Sequence, residues 1–168
     1  VVSQIAKAQG ALTIGVITKP FTFEGLERAR VAENGILRFR EAVDAMVAIP
    51  NDRLLSVIQK DTPLLSAFST CDEVLRQAVE GISDLITMPG IINVDFADVR
   101  AIMQNAGSAL MGIGYGRGES RAEDAARAAI NSPLLDISIN GARGVLFTVA
   151  GGADMTMWEI QEAAKIIT

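Results

Sequence analysis

Residues 11–50 read ALTIGVITKPFTFEGLERARVAENGILRFREAVDAMVAIP, and the order of patterns within them sets the architecture. Ala11 to Thr18 is a continuous apolar, β-branched run, the mark of a strand covered on both faces. Pro20 closes it. An amphipathic helix is expected from about Glu24 to Val43, interrupted near Asn34-Gly35. Ala45 to Ile49 is a second buried strand, ended by Pro50. Strand, helix and strand in this order predict a right-handed parallel crossover, the unit of a doubly wound α/β sheet.

Working outward, Val1 to Gln9 reads as the end of a helix that Gly10 stops. Downstream of Asn51 a short helix carries Leu54, Leu55 and Ile58. Thr70 and Glu73 form a capping-box pattern, followed by Leu75, Ala78, Val79, Ile82, Leu85 and Ile86 at helical spacing. That helix should run into the turn Met88-Pro89-Gly90. Asp95 to Gln104 reads as helix and Ala109 to Tyr115 as strand. Ser120 and Glu123 should cap an alanine-rich helix ending at Asn131-Ser132-Pro133. Gly144 to Ala150 reads as a further strand, and Thr156 with Glu159 should cap a last helix. The expected seam is the helix at 71–88, with an α/β unit before it and an α+β unit after it.

Composition narrows the chemistry. The net charge of −5 argues against a nucleic-acid binder, which needs a clustered basic face. No apolar run approaches the roughly 18 residues that span a bilayer, and the opening residues do not read as a signal peptide. With no histidine and only Cys71, zinc sites and Ser-His-Asp or thiolate–imidazole catalysis are excluded. The single cysteine forms no internal disulfide and suits a reducing cytoplasm. Any reaction must run on carboxylates, amides, arginines and a hard cation held through oxygen.

Three clusters are candidates. In Asn93-Val94-Asp95-Phe96-Ala97-Asp98 the two aspartates are three apart, so they share one face of a first helical turn. Such a pair can orient a water or share a divalent cation. Spacing alone favours the plainer reading, an N-cap and a favourable charge at the positive helix end. The run Gly112-Ile113-Gly114-Tyr115-Gly116-Arg117-Gly118 lacks the lysine and hydroxyl of a phosphate loop, and close backbone packing explains it better. Glu24 and Arg28, one turn apart, are either a surface ion pair or a hydroxyl acceptor and a phosphate donor on one edge. Phe68 alone reads as core, and Asp72 as a favourable charge at a helix start.

In combination these fragments resemble a known family. TKPFTFEGLER at 18–28, IPNDRLL at 49–55, GISDLITMPGIINVDFADVR at 81–100, GESRAEDAA at 118–126, SPLLD at 132–136 and GARGVLFTVAGGADMT at 141–156 are similar to the FtsZ family of tubulin-like division GTPases. The match is in the family's order and spacing along essentially the whole chain. IPNDRLL and NVDFADVR look like the bacterial-type members rather than the tubulins.

The resemblance implies a partial doubly wound GTPase domain, a long central helix and a partial α+β C-terminal domain. Residues 1–70 would be the C-terminal part of the GTP-binding domain and 71–89 the central helix. Residues 90–168 would be the acidic catalytic loop and the start of the C-terminal domain. It implies GTP and Mg as cofactors, and head-to-tail self-association into the filaments of a midcell division ring in the cytoplasm. It implies no nucleic-acid partner and no direct membrane insertion. Asn93, Asp95 and Asp98 match the acidic loop that acts on a neighbouring subunit's nucleotide. Glu24 and Arg28 match contacts to ribose and phosphate, Phe68 the base-stacking position, and Asn51 and Asp72 residues near the nucleoside. A carboxylate can accept both N–H donors on a guanine edge, a physical reason for guanine over adenine. The family's glycine-rich phosphate segment would lie upstream of Val1, and its last strands and the tail that binds other division proteins beyond Thr168. The 168 residues alone are therefore expected to be inactive. The alternative is a non-enzymatic module that caps or regulates such filaments.

Overall fold

The computed structural model describes residues 1–55, 62–87, 95–132, 135, 142 and 144–167. Ile58, the Met88-Pro89-Gly90 turn, Asn93 and Pro133 lie outside them. The chain divides into two compact units, Val1–Leu110 and Met111–Thr168.

In the first unit, helix α1 (Val2–Ala8) ends where expected, with Gly10 at φ 75°. Strand β1 (Ile14–Lys19) follows, then a 3-10 turn at Thr22–Glu24, helix α2 (Leu26–Glu41) and strand β2 (Ala45–Pro50). β1 and β2 pair in parallel from Ile14↔Ala45 to Lys19↔Pro50. After α3 (Asn51–Leu54) comes the long α4 (Leu64–Thr87), then α5 (Phe96–Met103) and β3 (Gly107–Ala109), which pairs in parallel with β2. The sheet order is β1-β2-β3. β2 is the central strand, and Ala45, Met46, Val47 and Ile49 are buried in it. β1, at an edge of the sheet among the described residues, is only half-buried apart from Gly15.

Several expectations need correcting. α2 runs through Asn34-Gly35 without interruption. A glycine inside an exposed helix is unfavourable by only about 1 kcal/mol against alanine, too little to break it. Nothing lies within 4 Å of where a Cβ at Gly35 would stand. Gly35→Ala should therefore stabilise the protein by about 0.5–1 kcal/mol. A lowered urea or thermal midpoint would show instead that the helix needs freedom there.

α4 begins at Leu64, not near Thr70. The Thr70 hydroxyl donates back to the Ser66 carbonyl at 3.0 Å, the bond by which a threonine is accommodated inside a helix. Glu73 is likewise not a cap. It binds Arg76 and Gln77 on the helix surface, and the Arg76 guanidinium holds its carboxyl down at about 2. The helical spacing itself is right. Cys71 and Ala78 are buried, while Val79 and Ile86 face solvent.

The expected seam at 71–88 lies inside the first unit. Strand β3 is the reason. It adds to the parallel sheet and brings α5 into the same body. Among the described residues, the strand expected at 109–115 contributes only Ala109 to a ladder, and residues 110–117 and 144–150 join no strand pairing. An apolar, branched run fits a pleated surface but becomes a strand only where a partner pairs with it.

In the second unit, helices α6 (Arg121–Ile130) and α7 (Met157–Ile167) pack together. Ser120 precedes α6 without a side-chain cap, and Glu123 pairs with Arg127 instead. The capping box at α7 is real. Thr156 donates to the Glu159 carboxylate from its N–H at 2.7 Å and its hydroxyl at 2.9 Å, and Glu159 N–H returns to the hydroxyl at 3.3 Å. Arg121 crosses to the same helix start, donating to Glu159 at 2.6 Å and Asp154 at 2.7 Å. The guanidinium and the Thr156 donors hold the Glu159 carboxyl down at about 2.

The glycine run is packing, as its pattern suggests. A Cβ at Gly112, Gly114 or Gly116 would collide with the backbone carbonyl oxygen of Ala129, Ala125 or Arg121 respectively. Alternate residues of an extended chain advance about 6.6 Å, and four residues of a helix about 6 Å. Every second residue of the run therefore meets the next turn of α6, and only glycine leaves room.

Candidate functional site

Five of the sequence-predicted residues gather beyond the carboxyl ends of β1 and β2, where open α/β sheets bind ligands. β1 runs into Lys19-Pro20, and the chain turns at once into the 3-10 segment. Glu24 closes that turn by accepting the Phe21 N–H at 2.8 Å. Gly25, at φ 98°, is the left-handed step that lets the backbone swing into α2, a conformation open to glycine at little cost. Arg28, in the first turn of α2, lies 3.2 Å from the other Glu24 oxygen. The two are thus an ion pair straddling the turn and the helix, rather than neighbours on one helix.

β2 ends at Pro50, and Asn51 opens α3. Asn51 is 7% exposed, and its Oδ1 is buried with no hydrogen-bond partner. A buried acceptor left without a donor is costly. Here it lies at the strand end, where a ligand's N–H or O–H would complete it.

From α4, Phe68 meets Phe21 edge-on, with centroids 5.7 Å apart at 77°. Phe21 is 2% exposed and stacks on Phe23 at 4.9 Å. Phe68 is not core, as its type alone suggested. It is 38% exposed, so part of its ring is free. One turn further along α4, Asp72 is exposed. Between them Cys71 is buried, and its thiol is pushed up by burial, then by the negative charges of Asp72 and Glu24. Acceptors, a cation and an aromatic ring suit a ligand with N–H and O–H donors, a flat ring and an anionic group.

Sequence reasoning missed Asp52 and Thr22. Asp52 Oδ1 accepts the Thr22 N–H at 3.0 Å, and its Oδ2 accepts the Thr22 hydroxyl. These two bonds, hydroxyl first, hold the Asp52 carboxyl below its usual range. The available signal was positional. Asp52 follows directly on a strand end, and Thr22 lies two residues before Glu24.

The acidic pair stands elsewhere. Asp95 is the N-cap of α5, accepting the Ala97 N–H at 3.3 Å, and Asp98 sits in the first turn. Both are exposed. Arg100, in the same helix, donates to the Gly10 carbonyl at 3.0 Å. Gly10 precedes β1, so α5 is tethered at the amino end of the sheet, opposite the first cluster. α5 leads into β3, whose first residue pairs with Ala45 at the start of β2. Among the described residues no three His, Cys, Asp or Glu side chains converge to hold a metal, and no helix is long and apolar enough to cross a membrane.

Residues 1–59 match the profile of the "Tubulin/FtsZ family, GTPase domain", and residues 107–168 that of the "FtsZ family, C-terminal domain". Among solved structures, an empty FtsZ dimer from M. jannaschii matches with a TM-score of 0.91 at 46% identity, over 99% of this chain and 48% of that one. A tryptophan-to-tyrosine mutant of FtsZ from M. jannaschii gives 0.91 and 46%, over 99% of this chain and 50% of that one. The chain spans about half the length of the solved chains it matches.

Proposed function

This chain belongs to the FtsZ family, and from that membership we propose that it is part of a GTP-hydrolysing protein that assembles head to tail into the filaments of a cytoplasmic division ring at midcell. The observation that carries the reading is polarity. One end of the parallel sheet gathers Glu24, Arg28, Asn51, Phe68 and Asp72, and the opposite end tethers the helix of Asp95 and Asp98. Copies stacked in one direction bring one subunit's acidic end to the next subunit's ligand end. The M. jannaschii relative, solved as a dimer, supports self-association.

In this reading Glu24 accepts ribose hydroxyls and Arg28 neutralises phosphate charge. Phe68 stacks on the base, and the orphaned Asn51 oxygen receives a nucleoside donor. Asp72 accepts the paired N–H groups of a guanine edge. Asp95 and Asp98, with Asn93, orient the water that attacks the neighbouring subunit's nucleotide. A magnesium ion bound with the nucleotide would supply charge neutralisation, and Asp95 and Asp98 are the carboxylates here that could offer it oxygen ligands.

The test begins with specificity. In the complete protein, Asp72→Ala should reduce the preference for GTP over ATP by roughly 10–100-fold, because a site built to pair polar donors discriminates through them. Competition titrations read the ratio. An unchanged ratio in a folded variant would remove Asp72 from the base edge.

A further inference from the structure

We propose that Asp52 is a positioning residue that fixes the gap between the two ligand-bearing loops, and with it the affinity for the nucleoside. The inference rests on the reading above, that Glu24 and Asn51 hold a guanine nucleotide. The β1–β2 ladder ends at the pair Lys19↔Pro50. Beyond that rung the ladder stops, and the chain continues on one side through Pro20 into the turn with Glu24, on the other into Asn51 and α3. Neither proline has an N–H to extend the pairing. Asp52 makes the crossing instead, taking both the N–H and the hydroxyl of Thr22 on its two oxygens, across 30 residues of sequence.

Each partner is adjacent to a ligand group. Thr22 follows Phe21, the ring that packs against Phe68, and belongs to the same turn as Glu24. Asp52 follows Asn51, whose side chain is buried with its oxygen unpartnered. A carboxylate with two donors is geometrically stricter than one with a single bond. Releasing it lets the turn and α3 separate, so the Glu24 oxygen and the Asn51 oxygen no longer stand at the spacing one nucleoside requires. Asp52 itself does not touch the ligand.

The experiment compares Asp52→Ala, Asp52→Asn, Thr22→Val, the Asp52→Ala/Thr22→Val double variant and Glu24→Ala in the complete protein. Kd for GTP and GDP, kcat at saturating GTP, and thermal midpoint are measured for each. Asp52→Ala should weaken both nucleotides by roughly tenfold, since it removes two bonds to a charged acceptor, with kcat at saturation retained. Thr22→Val, which keeps the backbone N–H bond, should do less, and the double variant no more than Asp52→Ala, because the two residues act as one unit. Asp52→Asn, which keeps an acceptor, should recover most of the affinity. If Glu24→Ala weakens binding while a folded Asp52→Ala does not, the proposal is overturned and the site stands. If neither matters, the site reading itself fails. Affinity that falls only in step with thermal midpoint across the series would make Asp52 a residue of the fold and also overturn the proposal.

Discussion

Asp95→Asn and Asp98→Asn, each in the complete protein, should lower GTP turnover by roughly 100-fold or more, the scale on which a group acting directly on the reaction is missed. Affinity for GTP should stay nearly as it was. The choice of asparagine matters because Asp95 has two occupations. Its carboxylate caps α5 through the Ala97 N–H, and alanine there would cost about 1 kcal/mol of helix stability whatever the chemistry. Asparagine caps a helix as well as aspartate does but carries no charge, so it separates the cap from the reaction. Normal turnover in Asp95→Asn would make the aspartate a helix start and nothing more. Loss of affinity with an unchanged rate per bound GTP would place the pair on its own subunit's nucleotide and end the proposal of catalysis across the interface.

Gly114→Ala should be among the most damaging small substitutions in the second unit. The added methyl would have to occupy the space of the Ala125 carbonyl oxygen, and the Ala129 nitrogen stands close behind. Both are backbone, so no side-chain rotation relieves the clash, and the extended run must lift off α6. Overpacking a close contact typically costs 1–3 kcal/mol, and a backbone contact belongs at about 3 kcal/mol, the upper end of that range. Urea unfolding of the complete protein measures it, with Gly118→Ala as a useful contrast. Gly118 has nothing within 4 Å but sits at φ 84°, so its cost is backbone strain alone, about 1–2 kcal/mol. Equal effects at the two positions would mean that the run does not press on the helix.

Much of the fold was legible because it rests on local patterns. The crossover from β1 to β2 follows from two apolar runs either side of a helical period. The capping box of Thr156 and Glu159 follows from spacing, and the glycine run from its lack of phosphate-binding chemistry. The failures share another cause. Thr70 and Glu73 have the spacing of a cap, but a threonine can satisfy its hydroxyl inside a helix, so the same letters fit a continuation. The runs at 110–115 and 144–150 have strand composition, but pairing is settled by a partner distant in sequence. β3 shows the same thing in reverse, since Gly107-Ser108-Ala109 has little strand character and is a strand because β2 is beside it.

The candidate site divides along that line. Glu24, Arg28, Asn51, Phe68 and Asp72 were named through a family resemblance, and spacing alone favoured ordinary roles for the Glu24–Arg28 pair, Phe68 and Asp72. The structure adds what no string of letters holds: a buried amide oxygen without a partner, and a threonine tied to an aspartate across the end of two strands.

The Glu159 carboxylate of the second unit serves two masters, the donors of Thr156 and the guanidinium of Arg121. This makes the order of loss uneven. If Arg121 is replaced, Glu159 still closes the start of α7. If Glu159 is replaced first, the start of α7 keeps the Thr156 hydroxyl on the backbone N–H of residue 159 but loses the reciprocal carboxylate, and Arg121 keeps Asp154. Drift in related sequences therefore has a permitted direction. The arginine can vary while the glutamate stays, whereas a change at the glutamate removes one of the two carboxylates that hold an arginine on that face and leaves Asp154 alone to do so, so the two positions should be retained or abandoned in sequence rather than independently.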